Sequence, residues 1–303
     1  MEVSNVQGHM AIGMFPSFPG LVRGEITKLM RHPLTWVAGL LSLCGLVGVN
    51  LLILLTDIGN DARSPLKDPV GFWTNQFEGL MFVRVCGGLF LIMITAYLIG
   101  MEYHFGTIRV VLGRGVGKLQ LLFAKLTALL IMALGMLVIS VLVYALGSVV
   151  NALILAGNLN SLSALKGENW KFASYFLSSA LISHVVTIIM AAAMAVLGRS
   201  LAFGMTAALC WFAVDNMATI MLYLVASFTH NDIFLKIQTY LLGPDLNALV
   251  SAWAGQEHVR LAMFTPIVNG SYSSTQFLLV IAGYTVALLA IAVFFMARRD
   301  VKE

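Results

Sequence analysis

Apolar residues gather into six long runs separated by shorter polar segments. Each run holds about 20 residues, which is enough for a helix to cross roughly 30 Å of hydrocarbon. Arg84 and Asp215 are the only Lys, Arg, Asp or Glu residues inside them. The pattern predicts an all-α membrane protein with six transmembrane helices in a single domain, residues 1–303. The predicted spans are about 34–55, 80–101, 126–148, 175–197, 201–227 and 277–297.

The composition supports a membrane protein. Hydrophobic residues make up 59% of the chain and charged residues 11%, with a mean hydropathy of +0.91, whereas about 25% of a soluble domain is charged. Cys44, Cys86 and Cys210 all lie in apolar runs without CxxC spacing. This usage indicates neither a disulfide framework nor a zinc site.

Lys and Arg are unevenly distributed about the predicted spans. Six spans place both termini on the same side as residues 102–125 and 198–200. That side carries eleven of the eighteen Lys and Arg residues, the other side carries six, and Arg84 lies within a span. Because cytoplasmic loops carry an excess of positive residues, we expect both termini and residues 102–125 in the cytoplasm.

The segment before the first span, residues 21–33, has an amphipathic pattern. Val22, Ile26 and Leu29 recur at near-helical spacing, with Arg23 and Lys28 on other faces. The pattern predicts a helix in the membrane interface. A basic flank of the first span is the alternative. On the opposite side, the long external loop 228–276 is expected to hold short helices near 245–254 and 256–264.

The Gly-rich segment GRGVGK, residues 113–118, is not a nucleotide site. A P-loop needs GxxxxGK followed by Ser or Thr, but Leu112 and Leu119 occupy the two decisive positions. The chain contains no HExxH or GxSxG motif. We therefore expect no catalytic site, metal or cofactor in this chain, and no nucleic-acid partner.

Residues 102–125 resemble a motif of a known family. The order is Glu102-x-x-x-Gly106-Thr107-Ile108-Arg109, then basic residues leading into the third span. It resembles the loop between the second and third spans of type-2 ATP-binding-cassette (ABC) permeases of the exporter type. The six-span layout and the interfacial helix agree with that family. Gly115-Val116-Gly117 departs from it, because members often carry a Pro-containing turn there.

The resemblance implies a coupling helix that docks on a separate ATPase subunit, which would carry ATP and Mg²⁺. The chain would then be a non-catalytic subunit in a prokaryotic inner membrane, paired with a second permease, identical or similar. Gly106 is expected to allow a sharp turn and Thr107 to cap a helix over 108–112. A basic flank without docking is the alternative. The implied docking residues are Glu102, Tyr103, Phe105, Gly106, Thr107, Ile108, Arg109 and Arg114.

Three ionisable residues lie inside predicted spans: Arg84, His184 and Asp215. A charge at mid-bilayer costs about 2.5–3.5 kcal/mol and usually faces the bundle interior. At 1.5 Å per residue the three lie roughly 20–26 Å from the cytoplasmic ends of their spans. We therefore predict that Asp215 pairs with Arg84 or His184, either lining a translocation path or as a structural ion pair. Arg84 extending toward the membrane surface is a further alternative.

Two other classes of protein remain open from the sequence. A stand-alone ion-coupled carrier or channel would use Asp215 as its ion site and need no ATPase, although no inverted repeat is evident. An intramembrane enzyme would use His184 or His104 as a base. It would also need a nucleophile, and Ser183 beside His184 faces away from it because adjacent helical residues diverge.

Overall fold

A computed structural model describes residues 17–58, 60, 64–254 and 273–298. Within these ranges the chain forms eleven α-helices and two short 3₁₀ helices, 160–164 and 238–240, and no strand. The α-helices are α1 Phe18–Arg31, α2 Pro33–Asp57, α3 Pro69–Glu78, α4 Met81–His104, α5 Thr107–Gly113, α6 Lys118–Ala156, α7 Gly167–Gly198, α8 Leu201–Thr229, α9 Ile233–Ile237, α10 Leu242–Ala254 and α11 Ser274–Arg298.

Within the described ranges, six helical segments are long and apolar enough to span a membrane, which confirms the all-α, six-span prediction. They are α2, α4 with α3 before it, α6, α7, α8 and α11. α6 has 39 residues and α7 has 32, so both extend well beyond the apolar runs seen in the sequence. A helix lies near 245–254, as α10, while the helix expected at 256–264 falls outside the described residues.

The helix before the first span begins and ends at residues suited to those positions. The Ser17 hydroxyl accepts from the Gly20 backbone N–H at 3.3 Å, and Pro19 occupies the first turn. α1 ends at Arg31, and the ring Nδ1 of the following residue, His32, accepts from the Leu34 N–H at 3.2 Å to cap α2. Val22 is buried against Ala124 and Ala128 of α6. α1 is therefore packed along the side of the bundle.

α4 and α7 form the centre of the bundle and are the most buried of the spans. Small residues let neighbouring helices approach closely at two points. A Cβ added to Gly100 of α4 would lie 2.7 Å from the Leu201 Cα, and one added to Gly204 of α8 would lie 2.8 Å from the Ala195 Cα. α2, α8 and α11 are peripheral and leave broad apolar faces exposed.

The short elements lie at opposite ends of the bundle. α1, α5, the end of α4 and the start of α6 form one end, which we call the α5 side. α3, the 3₁₀ helix 160–164, α9 and α10 form the other end, which we call the α10 side. The polar side chains of interest cluster at these two ends.

Candidate functional site

The connection between α4 and α6 contains a short helix entered by a sharp turn. Gly106 precedes α5 with a φ of +66°, and Gly115 follows it with a φ of +83°. A Cβ at either glycine would meet nothing within 4 Å, so glycine is needed here for the backbone angle, not for space. The turn expected at Gly106 is confirmed. Thr107, expected to cap the helix, is instead its first residue, and no side chain caps it.

α5 has one buried face and one exposed face. Ile108 is 3% exposed and packs in the main hydrophobic core, so its side chain is not on the outer surface. Phe105 is 63% exposed and Val110 is 58% exposed. Arg109 and Arg114 are also exposed, and neither forms a salt bridge with a described residue. The outer face of α5 is therefore both apolar and positively charged.

The ends of α5 are fixed to the rest of the bundle. Tyr103, half-buried just before the turn, donates its hydroxyl to the Met296 sulfur of α11 at 3.0 Å. Lys118, at the start of α6, donates to the Ala297 carbonyl of α11 at 3.4 Å. Displacement of α5 would therefore be transmitted to α4, α6 and α11.

Directly behind α5, a buried ion network joins α1, α4 and α6. The Lys125 ammonium lies 2.8 Å from Glu102 Oε1, 2.9 Å from Glu25 Oε2 and 3.1 Å from the Leu98 carbonyl. Lys28 lies 2.7 Å from Glu25 Oε1 and 3.1 Å from Glu102 Oε1. Lys28 is the exposed member, and the other three side chains are almost completely enclosed. Glu102, predicted as a docking residue, is thus held inside this network.

Proximity to opposite charges shifts the pKa of the two α1 residues. Burial alone would raise the pKa of Glu25, but the charge of Lys125 and hydrogen bonds from Lys28 and Lys125 outweigh it and lower that pKa. Burial would lower the pKa of Lys28, but its bonds to Glu25 and to Glu102 raise it. Both groups are charged at neutral pH, so the network is an ion cluster.

The sequence alone did not lead us to predict a role for Glu25 or the ion pairs that Lys125 forms with Glu25 and Glu102. One signal was available, because Glu25 shares a helical face with the apolar residues Val22 and Leu29. A charge on the buried face of an amphipathic helix needs a partner on a neighbouring element. The sequence did not show which element that was.

At the α10 side, the structure brings Arg84 and Asp215 near each other without a direct ion pair. They are electrostatic neighbours, but neither forms a salt bridge within the described part of the chain. Arg84 is 5% exposed and donates to the Asn247 side-chain oxygen of α10. Asp215 is half-buried and accepts from the Gly243 backbone N–H, also of α10. The ion pair predicted between Asp215 and Arg84 is therefore not formed, and each of the two residues contacts α10 instead.

His184 is buried beside Arg84 and has no polar partner of its own. Its ring packs against Gly87 of α4, where an added Cβ would collide with it. Neither ring nitrogen has a hydrogen-bond partner among the residues that the structure describes, and His184 forms no salt bridge with Asp215. Sequence reasoning also missed Asp245 and Asn247 of α10, because it treated 228–276 as an external loop.

No group of His, Cys, Asp and Glu within the described residues has the arrangement of a metal site. The fold and the two polar regions therefore define a polytopic membrane protein with six spans, a packed N-terminal helix and a helical insert between its second and third spans.

A comparison with protein families identifies this architecture. Residues 21–214 match the model of the ABC-2 family transporter proteins, and the chain belongs to that family. It is an ABC transporter permease. The match includes α1 from residue 21 onward, the ion network and α5, and it ends one residue before Asp215. No curated protein matches the chain.

Proposed function

We propose that this chain is the membrane subunit of an ATP-driven exporter and that a separate ATPase subunit docks on α5. One observation carries the proposal: α5 and the turns at its two ends present an exposed apolar and cationic face, formed by Phe105, Arg109, Val110 and Arg114, while Ile108 on the other face of α5 is anchored in the core. An exposed apolar patch rimmed by charge is typical of a protein-binding surface. The arginines suit acidic groups on a partner.

The anchoring of α5 gives docking a mechanical consequence. α5 is tied to the ends of α4 and α6 by short turns, and the Lys125 network ties both helices to α1. Motion of a docked ATPase would thus displace several helices together. ATP and Mg²⁺ would bind the partner, and this chain would perform no covalent chemistry.

The proposed assembly contains two permease chains, identical or similar, and two ATPases. The exposed apolar faces of α2 and α8 leave surface for a second permease as well as for lipid. The excess of Lys and Arg on the α5 side supports a cytoplasmic position for both termini in a prokaryotic inner membrane. Export as the direction of transport rests on the family resemblance.

Co-purification tests the docking proposal. The chain is expressed with the ATPase encoded beside it, and the amount of ATPase eluting with the permease is measured for Arg109→Glu with Val110→Glu. Both changed side chains are exposed, so the fold is expected to survive. Arg23→Glu on α1 is the control, since it makes the same Arg-to-Glu replacement on an exposed residue outside α5.

We expect the α5 double variant to lose ATPase and the Arg23→Glu control to retain it. Equal retention by a well-folded double variant would contradict docking on α5. A permease that transports in vesicles without any ATPase would instead favour a carrier that uses Asp215.

A further inference from the structure

The N-terminal half of α10 is buried in the bundle although it belongs to the long connection between α8 and α11. All residues from Leu242 to Val250 are buried, and α10 packs against α7, α8 and α11. Two of these buried residues, Asp245 and Asn247, are polar. A helix that carries a carboxyl and an amide into a packed interior requires partners for them.

Three polar contacts hold α10 in this position. The Asn247 side-chain oxygen accepts from Arg84 of α4. The Gly243 N–H donates to the Asp215 carboxyl of α8. The Leu246 carbonyl accepts from the Ser179 hydroxyl of α7 at 3.4 Å. α10 is therefore attached to three different spans.

Asp245 makes no comparable contact. Its side chain is completely buried, and neither carboxyl oxygen has a hydrogen-bond partner within the described part of the chain. An ionised carboxylate in such a place loses its hydration without compensation, which is a large energetic cost. Burial and, secondly, the charge of Asp215 raise the pKa of Asp245.

If every acid is ionised, two carboxylates lie near each other here. Asp215 and Asp245 are electrostatic neighbours, and Arg84 is the cation beside Asp215. Among the described residues, the other titratable groups near this region are His184 of α7 and Tyr284 of α11. An imidazolium at His184 would lie beside Arg84 and be repelled by it, and the Tyr284 hydroxyl donates to the Tyr240 carbonyl at 3.2 Å. The Asp245 carboxylate therefore has no cationic partner among the described residues.

We propose that Asp245 is a proton-binding site: a bound proton neutralises its carboxylate while α10 is seated in the bundle, and loss of that proton releases α10. The proton adds to one carboxylate oxygen and leaves to water, with no other reactant. This proposal is independent of ATPase docking on α5, and it makes the α10 side of the permease sensitive to the pH of the compartment it faces.

A proton fits this place better than a metal cation. Gly243 is pressed so closely against the backbone and carboxyl of Asp215 that an added Cβ would collide with both. No metal-type cluster occurs among the described residues, which include all of α10. A proton needs no coordination sphere, whereas a metal cation would need several oxygens at fixed distances.

The direction of the pH effect follows from linkage. Seated α10 holds the proton more tightly than exposed α10, in which Asp245 has its ordinary pKa of about 4. Seating is thus strongest below that pH. It weakens about tenfold per pH unit as the pH rises toward the pKa of the seated form, because one proton is lost on release.

Hydrogen exchange of the intact chain in lipid nanodiscs tests this proposal. The opening equilibrium of residues 242–250 is measured from about pH 5 upward, after correction for the intrinsic exchange rate. In the wild type, we expect the equilibrium constant for opening of residues 242–250 to increase about tenfold for each unit by which the pH rises. Asp245→Asn, which imitates the protonated carboxyl, should open to the same extent at every pH. Asp232→Asn, an exposed acid outside α10, should behave as the wild type.

The proposal would be overturned if the opening equilibrium of residues 242–250 in the wild type did not change with pH. It would also be overturned if that equilibrium depended on pH as strongly in Asp245→Asn as in the wild type. If His184→Gln lost this pH dependence while Asp245→Asn kept it, the proton would belong to His184, and the proposal would again be overturned. If Asp245→Asn does not fold, infrared difference spectra of the wild type can test whether the buried carboxyl is protonated. The proposal requires a protonated, buried carboxyl signal that disappears on alkaline titration, and its absence would contradict it.

Discussion

At the scale of single residues, Lys125 is the central member of the buried ion network on the α5 side. It is the shared partner of Glu25 and Glu102, and it also donates to the Leu98 carbonyl. Removing one member of a buried ion cluster leaves the remaining charges without compensation, and this costs more than the cluster contributed. The four charges therefore respond unequally to substitution, according to their burial.

We predict that Lys125→Met destabilises the folded chain by about 3–5 kcal/mol, because it removes the buried cation between two buried carboxylates and leaves them only the half-exposed Lys28. Lys28→Met should cost less than about 1 kcal/mol, since the Lys28 side chain is half exposed and its pairs are screened by water. Denaturant titration in detergent measures both. A Lys28 variant as damaged as the Lys125 variant would contradict the described burial.

Acid should weaken the same network through Glu25. The pKa of Glu25 is lowered from its ordinary 4.5 in the folded chain. Its stabilising contribution is therefore complete above about pH 4.5 and is lost as the pH falls through the lowered folded-state value. We predict that Glu25→Gln is less stable than the wild type at neutral pH and that this difference shrinks in acid. A difference independent of pH, measured by thermal unfolding, would exclude ionised Glu25 as the cause.

At the scale of elements, the turn before α5 depends on one backbone angle. Gly106→Ala places a side chain at a φ of +66°, which costs about 1–2 kcal/mol. Gly113→Ala is the matched control, because Gly113 is helical with open space around its Cα. We predict that Gly106→Ala reduces ATPase co-purification whereas Gly113→Ala leaves it unchanged. Equal behaviour of the two variants would show that the turn does not position α5.

The α5 region shows how far sequence reasoning reached. The local order around Gly106 predicted a sharp turn followed by a short helix, because a glycine in this setting signals an unusual backbone angle. It did not predict that Ile108 faces inward. A seven-residue helix can present any face to its neighbours, so packing against distant helices decides which face is buried.

The polar networks show what the sequence could not supply. Glu25 and Lys125 lie 100 positions apart, and Arg84 and Asn247 lie 163 apart. Pairing over such separations depends on how the spans pack. The similar depths of Arg84 and Asp215 in their spans correctly indicated that the two residues lie near each other. The depths could not reveal the contribution of α10, which folds back into the bundle after α8.

At the scale of the whole molecule, the bundle has two specialised ends. The α5 side carries a rigid, cationic, partly apolar face. The α10 side carries a buried helix attached to three spans by polar contacts. α4 connects the two ends directly, because Arg84 lies in its first turn and Glu102 in its last. A displacement of α4 caused by a partner on α5 would therefore change the contact between Arg84 and Asn247 that holds α10 in the bundle.

Cysteine labelling in membrane vesicles tests the central claim, that the ATPase docks on α5 from the cytoplasm. Val110→Cys is introduced after replacing Cys44, Cys86 and Cys210 with Ala, and Leu162→Cys on the α10 side is the control. A membrane-impermeant maleimide is applied to inverted and right-side-out vesicles, with and without ATPase.

We expect the cysteine introduced at position 110 to react only in inverted vesicles and to be protected by bound ATPase. The cysteine at position 162 should react only in right-side-out vesicles and be unaffected by ATPase. Labelling of position 110 from the outside, or undiminished labelling with ATPase bound to the vesicles, would contradict docking of the ATPase on α5 from the cytoplasm.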